Sequence, residues 1–142
     1  MNTLRALIIV GIVCAGLQYW NRHQAALALA AATDENGFLE LPPTDGQKPD
    51  TVYVIAALNC PHEDAQRADR LAEELNGKGI PAIRTDHVNF QWTDVDTSAA
   101  HEYADRTNAV MNGRLPIAFV RGRAKSDATL DQVVAEFTML QR

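Results

Sequence analysis

Val52-Tyr53-Val54-Ile55-Ala56-Ala57-Leu58-Asn59-Cys60-Pro61-His62-Glu63 changes backbone character within one short stretch. Val52–Leu58 is almost continuously apolar, the pattern of a strand buried on both faces. Asp50-Thr51 and Asn59 bound it. Pro61 suits the first position of a helix, where its missing N–H is no loss, and Glu63 then falls at the third. Ala65, Ala68, Leu71, Ala72 and Leu75 recur at helical spacing, with charged residues on the other side. Asn76-Gly77-Lys78-Gly79 supplies the stop.

Downstream, Ile80–Val88 reads as a second strand, with Pro81 near its start. A strand–helix–strand succession predicts a right-handed parallel crossover. Asn89–Thr97 reads as a loop carrying Phe90 and Trp92, which either cover the core or offer a partner patch. Ser98–Met111 reads as a helix closed by Asn112-Gly113. Leu115-Pro116 precedes a third strand, Ile117–Val120, and Arg121-Gly122-Arg123 marks a tight turn into a short strand at Arg123–Lys125. Thr129 opens a last helix, with Gln132 at capping-box spacing and Leu130, Val133, Val134 and Phe137 as its apolar stripe. The predicted fold class is α/β, in the order βαβ-α-ββα, preceded by a hydrophobic N-terminal helix.

Upstream, twelve uncharged residues, Ala6–Leu17, follow Arg5. Two readings stand. A signal peptide needs a small-x-small cleavage site, which Ala26-Leu27-Ala28, Ala28-Leu29-Ala30 or Ala30-Ala31-Ala32 would supply. An uncleaved anchor over Leu4–Trp20 has 17 residues, near the lower limit for a bilayer span, with Tyr19 and Trp20 as interfacial residues. Either layout places the domain outside the cytoplasm, on a periplasmic or equivalent side, and makes the membrane a partner. Residues 33–51 are rich in Pro, Gly and Asp and read as a linker, in which Phe38-Leu39-Glu40-Leu41 is suited to dock as an extended arm. The expected organisation is 1–32 anchor or signal, 33–51 linker and 52–142 domain.

Charge narrows the function classes. The chain has a net charge of −5, so no nucleic-acid partner is expected. Arg114, Arg121, Arg123 and Lys125 read as a solvated hairpin end. Cys14 and Cys60 are the two cysteines; they make no disulfide framework and no Cys/His metal spacing. His87 and His101 have no further His or Cys at metal-ligand spacing in the sequence and read as surface residues. P-loop, dinucleotide-glycine and Ser/His/Asp patterns are absent.

The order of elements, Cys60-Pro61 at the first strand-to-helix turn, Leu115-Pro116 before the third strand, and the glycine hairpin ahead of a final amphipathic helix together resemble the thioredoxin-like superfamily in its compact, glutaredoxin-like form. The resemblance covers about residues 52–140. It implies Cys60 and His62 as catalytic residues, with Pro61, Leu115 and Pro116 on the substrate side and Pro116 in the family's cis-proline position. Where the family has Cys-x-x-Cys, this chain has Cys60-Pro61-His62-Glu63, so no second cysteine can release a mixed disulfide. No lysine stands just before Cys60, and Ala124-Lys125-Ser126-Asp127 replaces the family's Gly-Gly-Asp glutathione site. No cofactor is therefore expected, glutathione being the candidate that the resemblance raises. At a helix N-terminus, free N–H donors favour a thiolate, while the carboxylates of Glu63 and Asp64 oppose a second anion. Two functions follow: a non-catalytic binding or scaffold module with a protein partner, or a monothiol exchange or redox-sensing protein using Cys60.

Overall fold

A 31-residue helix, α1 (Asn2–Ala32), forms one unit of the chain, and residues 33–142 form the second. The computed structural model describes residues 2–92 and 98–141. Helix α1 runs through Trp20, Arg22 and His23 to Ala32 without a break, past the end expected for a Leu4–Trp20 anchor. Its apolar residues are distributed around the axis rather than gathered in one stripe. Among the described residues, no helix is long and apolar enough to cross a membrane.

The second unit is α/β. Its described elements are β1 (Leu39–Glu40), β2 (Val52–Ile55), α2 (Glu63–Gly77), β3 (Ala82–Thr85), α3 (Ser98–Met111), β4 (Ile117–Val120), β5 (Arg123–Lys125) and α4 (Leu130–Met139). The strands make a mixed sheet in the order β1-β5-β4-β2-β3. β2 pairs parallel with β3 and antiparallel with β4, which pairs antiparallel with β5. The parallel crossover expected around α2 is thus present.

Alternation along the strands gives the sheet two faces. Val52, Val54, Ala118 and Val120 pack against Ala68, Leu71, Ala72 and Leu75 of α2 and Val133 and Phe137 of α4. Tyr53 lies opposite Phe119 on the other face, and the Phe90 ring tilts against Phe119 at 6.4 Å.

Residues 33–51 do more than connect. β1 pairs with β5 at Leu39↔Ala124, and Phe38, only 1% exposed, enters the core with Leu39 and Leu41. The local device is Asp34, whose carboxylate accepts the backbone N–H groups of Asn36 and Phe38 at 2.9 and 2.8 Å. This side-chain turn aims Phe38 inward before β1 starts.

Both strands read from composition run longer than the ladders. The first ends at Ile55, not Leu58, and the second spans Ala82–Thr85 within Ile80–Val88. Helix α2 stops as its Gly-rich end predicts: Ile80 N donates to Leu75 O and Gly79 N to Asn76 O, both 3.0 Å, with Gly79 at φ +79°. Thr129 N donates to the Gln132 Oε1 at 3.2 Å, completing the expected cap of α4. Val120 pairs with Arg123, so Arg121-Gly122 is a two-residue hairpin with both residues at positive φ, 46° and 81°.

Candidate functional site

The turn from β2 to α2 is built by Ala56–His62. Asn59 adopts φ +54°, a left-handed conformation that Asn tolerates better than most residues. It turns the chain between the strand end and Cys60. Helix α2 begins at Glu63, and His62 is its N-cap, with φ −64° and ψ 148° and no side-chain capping bond. Pro61 therefore lies outside the helix rather than at its first position, and Cys60 stands a further residue away. Glu63 and Asp64, not Cys60, occupy the first turn, where acidic side chains suit the positive end of the helix dipole. The local reason is visible in Pro61 O: it accepts the Gln66 side-chain amide at 3.1 Å instead of a helical N–H, while His62 O accepts Ala65 N and Gln66 N.

Cys60 is half-buried. Neither it nor His62 forms a hydrogen bond or ion pair through its side chain among the described residues. Leu58 beside them is 46% exposed, and Pro61 and His62 are exposed too.

Leu115-Pro116 lies at the same end of the sheet. Ile117 pairs with Ile55, the last residue of β2, so Pro116 is one residue past the ladder from which the Cys60 turn departs. Its peptide bond is cis. Pro116 is fully buried and its carbonyl accepts Ala128 N at 3.1 Å, while Leu115 is half-buried. A cleft of about 210 Å³ beside Pro116 is lined by Arg67, Arg70, Glu74 and Thr129. Arg67 Nη2 donates to Asp127 Oδ1 at 2.6 Å, and this hydrogen bond lowers the pKa of the Asp127 carboxyl. Other clefts of about 520 and 200 Å³ lie against Phe119 and Tyr53 respectively. None of these three is lined by Cys60 or His62.

Three charged devices escape a reading of the sequence. Arg84, on β3, donates Nη1 to Val54 O at 3.1 Å and Ala56 O at 3.2 Å, Nη2 to Ala57 O at 3.2 Å, and Nε to Asp69 Oδ1 at 2.7 Å. One guanidinium thereby ties α2 to the carbonyls where β2 gives way to the Cys60 turn. Arg121 donates to Pro49 O at 2.9 Å, to Asp50 Oδ1 at 2.5 Å and to Leu140 O, and lies over the Phe137 ring. These contacts hold a non-glycine residue in the left-handed region.

The third device is Asp34–Arg123–Glu136. Arg123 Nη1 donates to Asp34 Oδ2 at 2.9 Å and Glu136 Oε1 at 3.4 Å, and Asn36 Nδ2 donates to Glu136 Oε2 at 3.0 Å. Glu136 is fully buried, and burial pushes its carboxyl pKa up, aided by the Asp34 carboxylate and opposed by the Asn36 hydrogen bond and Arg123. The signal in the sequence is Glu136 lying between Val133 and Phe137 on the apolar stripe of α4, a charge where the period calls for carbon.

The basic residues of the hairpin are accordingly not a free solvated cluster: Arg121 and Arg123 are committed to acids, and Arg114 approaches Asp127 at 4.0 Å. His87 is exposed and its Nδ1 is 2.5 Å from Asp86 Oδ1, a contact that lowers the Asp86 pKa. Phe90 is half-buried against Phe119, and Trp92 is exposed. Residues 93–97 of the expected loop lie outside the described residues. Among the described residues, no group of three or more His, Cys, Asp or Glu side chains is placed to hold a metal ion. Comparison with protein-family models, curated proteins and solved structures gives no match.

Proposed function

We propose that residues 33–142 form a thioredoxin-like binding module that has lost thiol catalysis, held at a membrane by the N-terminal segment with the module on the non-cytoplasmic side. The observation that carries the loss of catalysis is the placement of Cys60: outside α2, with no side-chain partner among the described residues, and with Glu63 where a resolving cysteine would stand. Activated thiols need a neighbouring cation, donor or base to favour the thiolate, and acidic residues fill the first turn of α2.

The fold reading is supported by the central β3-β2-β4-β5 order, with one parallel and two antiparallel pairings, and by α2 and α4 packing on one sheet face. The exposure of Leu58, Pro61 and His62 supports the Cys60 turn as the surface offered to a protein partner. Membrane targeting is supported by the exposed Val10, Ile12, Val13 and Leu17 and the aromatic Tyr19 and Trp20 of α1. The uncharged run Ala6–Leu17 within α1 suits a lipid or protein environment better than water.

The test is the rate of mixed-disulfide formation between Cys60 and oxidised glutathione, in the full chain carrying Cys14→Ser. The binding reading expects a rate no greater than that of free cysteine. A rate roughly tenfold or more above it would establish the monothiol exchange function instead.

A further inference from the structure

The cleft against Phe119 sits at the end of the sheet remote from Cys60, since Thr51, just before β2, lines it, whereas Cys60 follows the strand's other end. Its volume of about 520 Å³ falls in the range of small-molecule sites. Its composition is selective. Phe119, backed by the Phe90 ring, is apolar, and Pro43 and Pro49 add rigid apolar surface. Thr51 also lines the cleft and is only 7% exposed. Two residues before Tyr53, Thr51 is on the sheet face that carries Phe119.

The charges lining the cleft are of one sign. Lys48 and Arg121 line it, and no acidic residue does. The Arg121 guanidinium is already committed to Pro49, Asp50 and Leu140. Lys48 is exposed, and its ammonium is in no ion pair among the described residues. An apolar wall, a lining hydroxyl and an uncommitted cation together favour a ligand with a flat apolar body and one negative group.

We propose that this cleft binds a small organic anion of the aryl-carboxylate class. Its apolar body lies against Phe119 and the prolines, Lys48 attracts its carboxylate and the Thr51 hydroxyl hydrogen-bonds it. The site is independent of Cys60, so it stands or falls apart from the loss of thiol catalysis.

The probe is phenylacetate, with neutral phenylacetamide as its counterpart, titrated into the isotope-labelled full chain while backbone amide resonances are followed. The expected result is saturable shifts at Thr44, Gln47, Lys48, Thr51 and Gly122, with phenylacetate bound more tightly than the amide. Lys48→Glu, an exposed substitution, is expected to weaken phenylacetate roughly fivefold or more and to erase its advantage over the amide. Thr51→Val is expected to weaken both ligands. Absence of saturable shifts, shifts centred on Leu58 and Cys60 instead, or phenylacetate affinity unchanged in both variants would overturn the proposal.

Discussion

The Cys60 turn and the Asp34–Arg123–Glu136 cluster stand in opposite relations to their surroundings. Cys60 and His62 occupy a conspicuous turn, yet neither side chain has a partner among the described residues. Glu136 carries no recognisable motif, yet it is fully buried and held by Asn36 and Arg123. A partly exposed thiol can go unsupported because water solvates it. A carboxylate removed from water must be supported, because an unpaired buried charge would cost several kcal/mol. Elaborate wiring in this protein therefore follows burial, and the conspicuous motif at Cys60 carries little of it.

Perturbing the two regions should give unequal results. The largest effect is expected for Glu136→Ala, which leaves the Asn36 amide without its acceptor, leaves Arg123 with Asp34 alone and opens a cavity between Val133 and Phe137. A loss of about 2–3 kcal/mol in urea unfolding at mildly acidic pH is expected; a loss under about 0.5 kcal/mol would dissolve the contrast. Arg84→Met should follow, at about 2 kcal/mol, because several carbonyls at the end of β2 lose one shared donor. Arg84→Lys should recover less than half of that, since an ammonium cannot reproduce the guanidinium fork; full recovery would show that charge alone matters.

A pH titration sharpens the comparison further. The folded-state pKa of Glu136 is raised above its ordinary value of 4.5, chiefly by burial. Folding therefore favours proton uptake there, and the resulting stability is complete below the ordinary value and is lost as pH rises through the raised one. Wild type should thus lose stability relative to Glu136→Gln as pH climbs from about 4.5. A difference that stays constant, or that grows in favour of wild type, would contradict the buried-carboxylate assignment. The smallest effect is expected for Cys60→Ser, within about 0.5 kcal/mol, because no side-chain partner is lost. A larger loss would mean that the thiol packs as part of the core.

The sheet's central strands and the helices were legible because each carries its own period. Ala65, Ala68, Leu71, Ala72 and Leu75 mark the buried side of α2 without reference to any other element, and Gly79 marks its end. The hairpin at Arg121-Gly122 and the cap at Thr129 are equally local. Phe38 to Leu41 was legible as an arm suited to docking. Its placement on β5 was not, because the partner Ala124 lies far along the chain and nothing in either segment names the other.

The helix start shows how fine the boundary is. Pro61 satisfies every local rule for the first helical position, but its carbonyl takes the Gln66 side chain, and α2 begins two residues later. That shift removes Cys60 from the helix terminus, where the chemistry inferred from the motif would have placed it. Likewise, Arg84, Arg121 and Arg123 look like any surface arginines in sequence. They become fixed donors only when strands, arm and α4 bring carbonyls and carboxylates within reach.

By itself, the sequence determined an apolar N-terminal segment, an α/β alternation with its caps and turns, and a single cysteine at the strand-to-helix turn, since periodicity and turn chemistry are properties of neighbouring residues. Only the tertiary structure decided that Cys60 stands without a side-chain partner among the described residues, that Glu136 is buried against Asn36 and Arg123, and that Phe119, Thr51 and Lys48 line one cleft. Burial and ionic partnership depend on residues distant in the chain, and no local pattern records them.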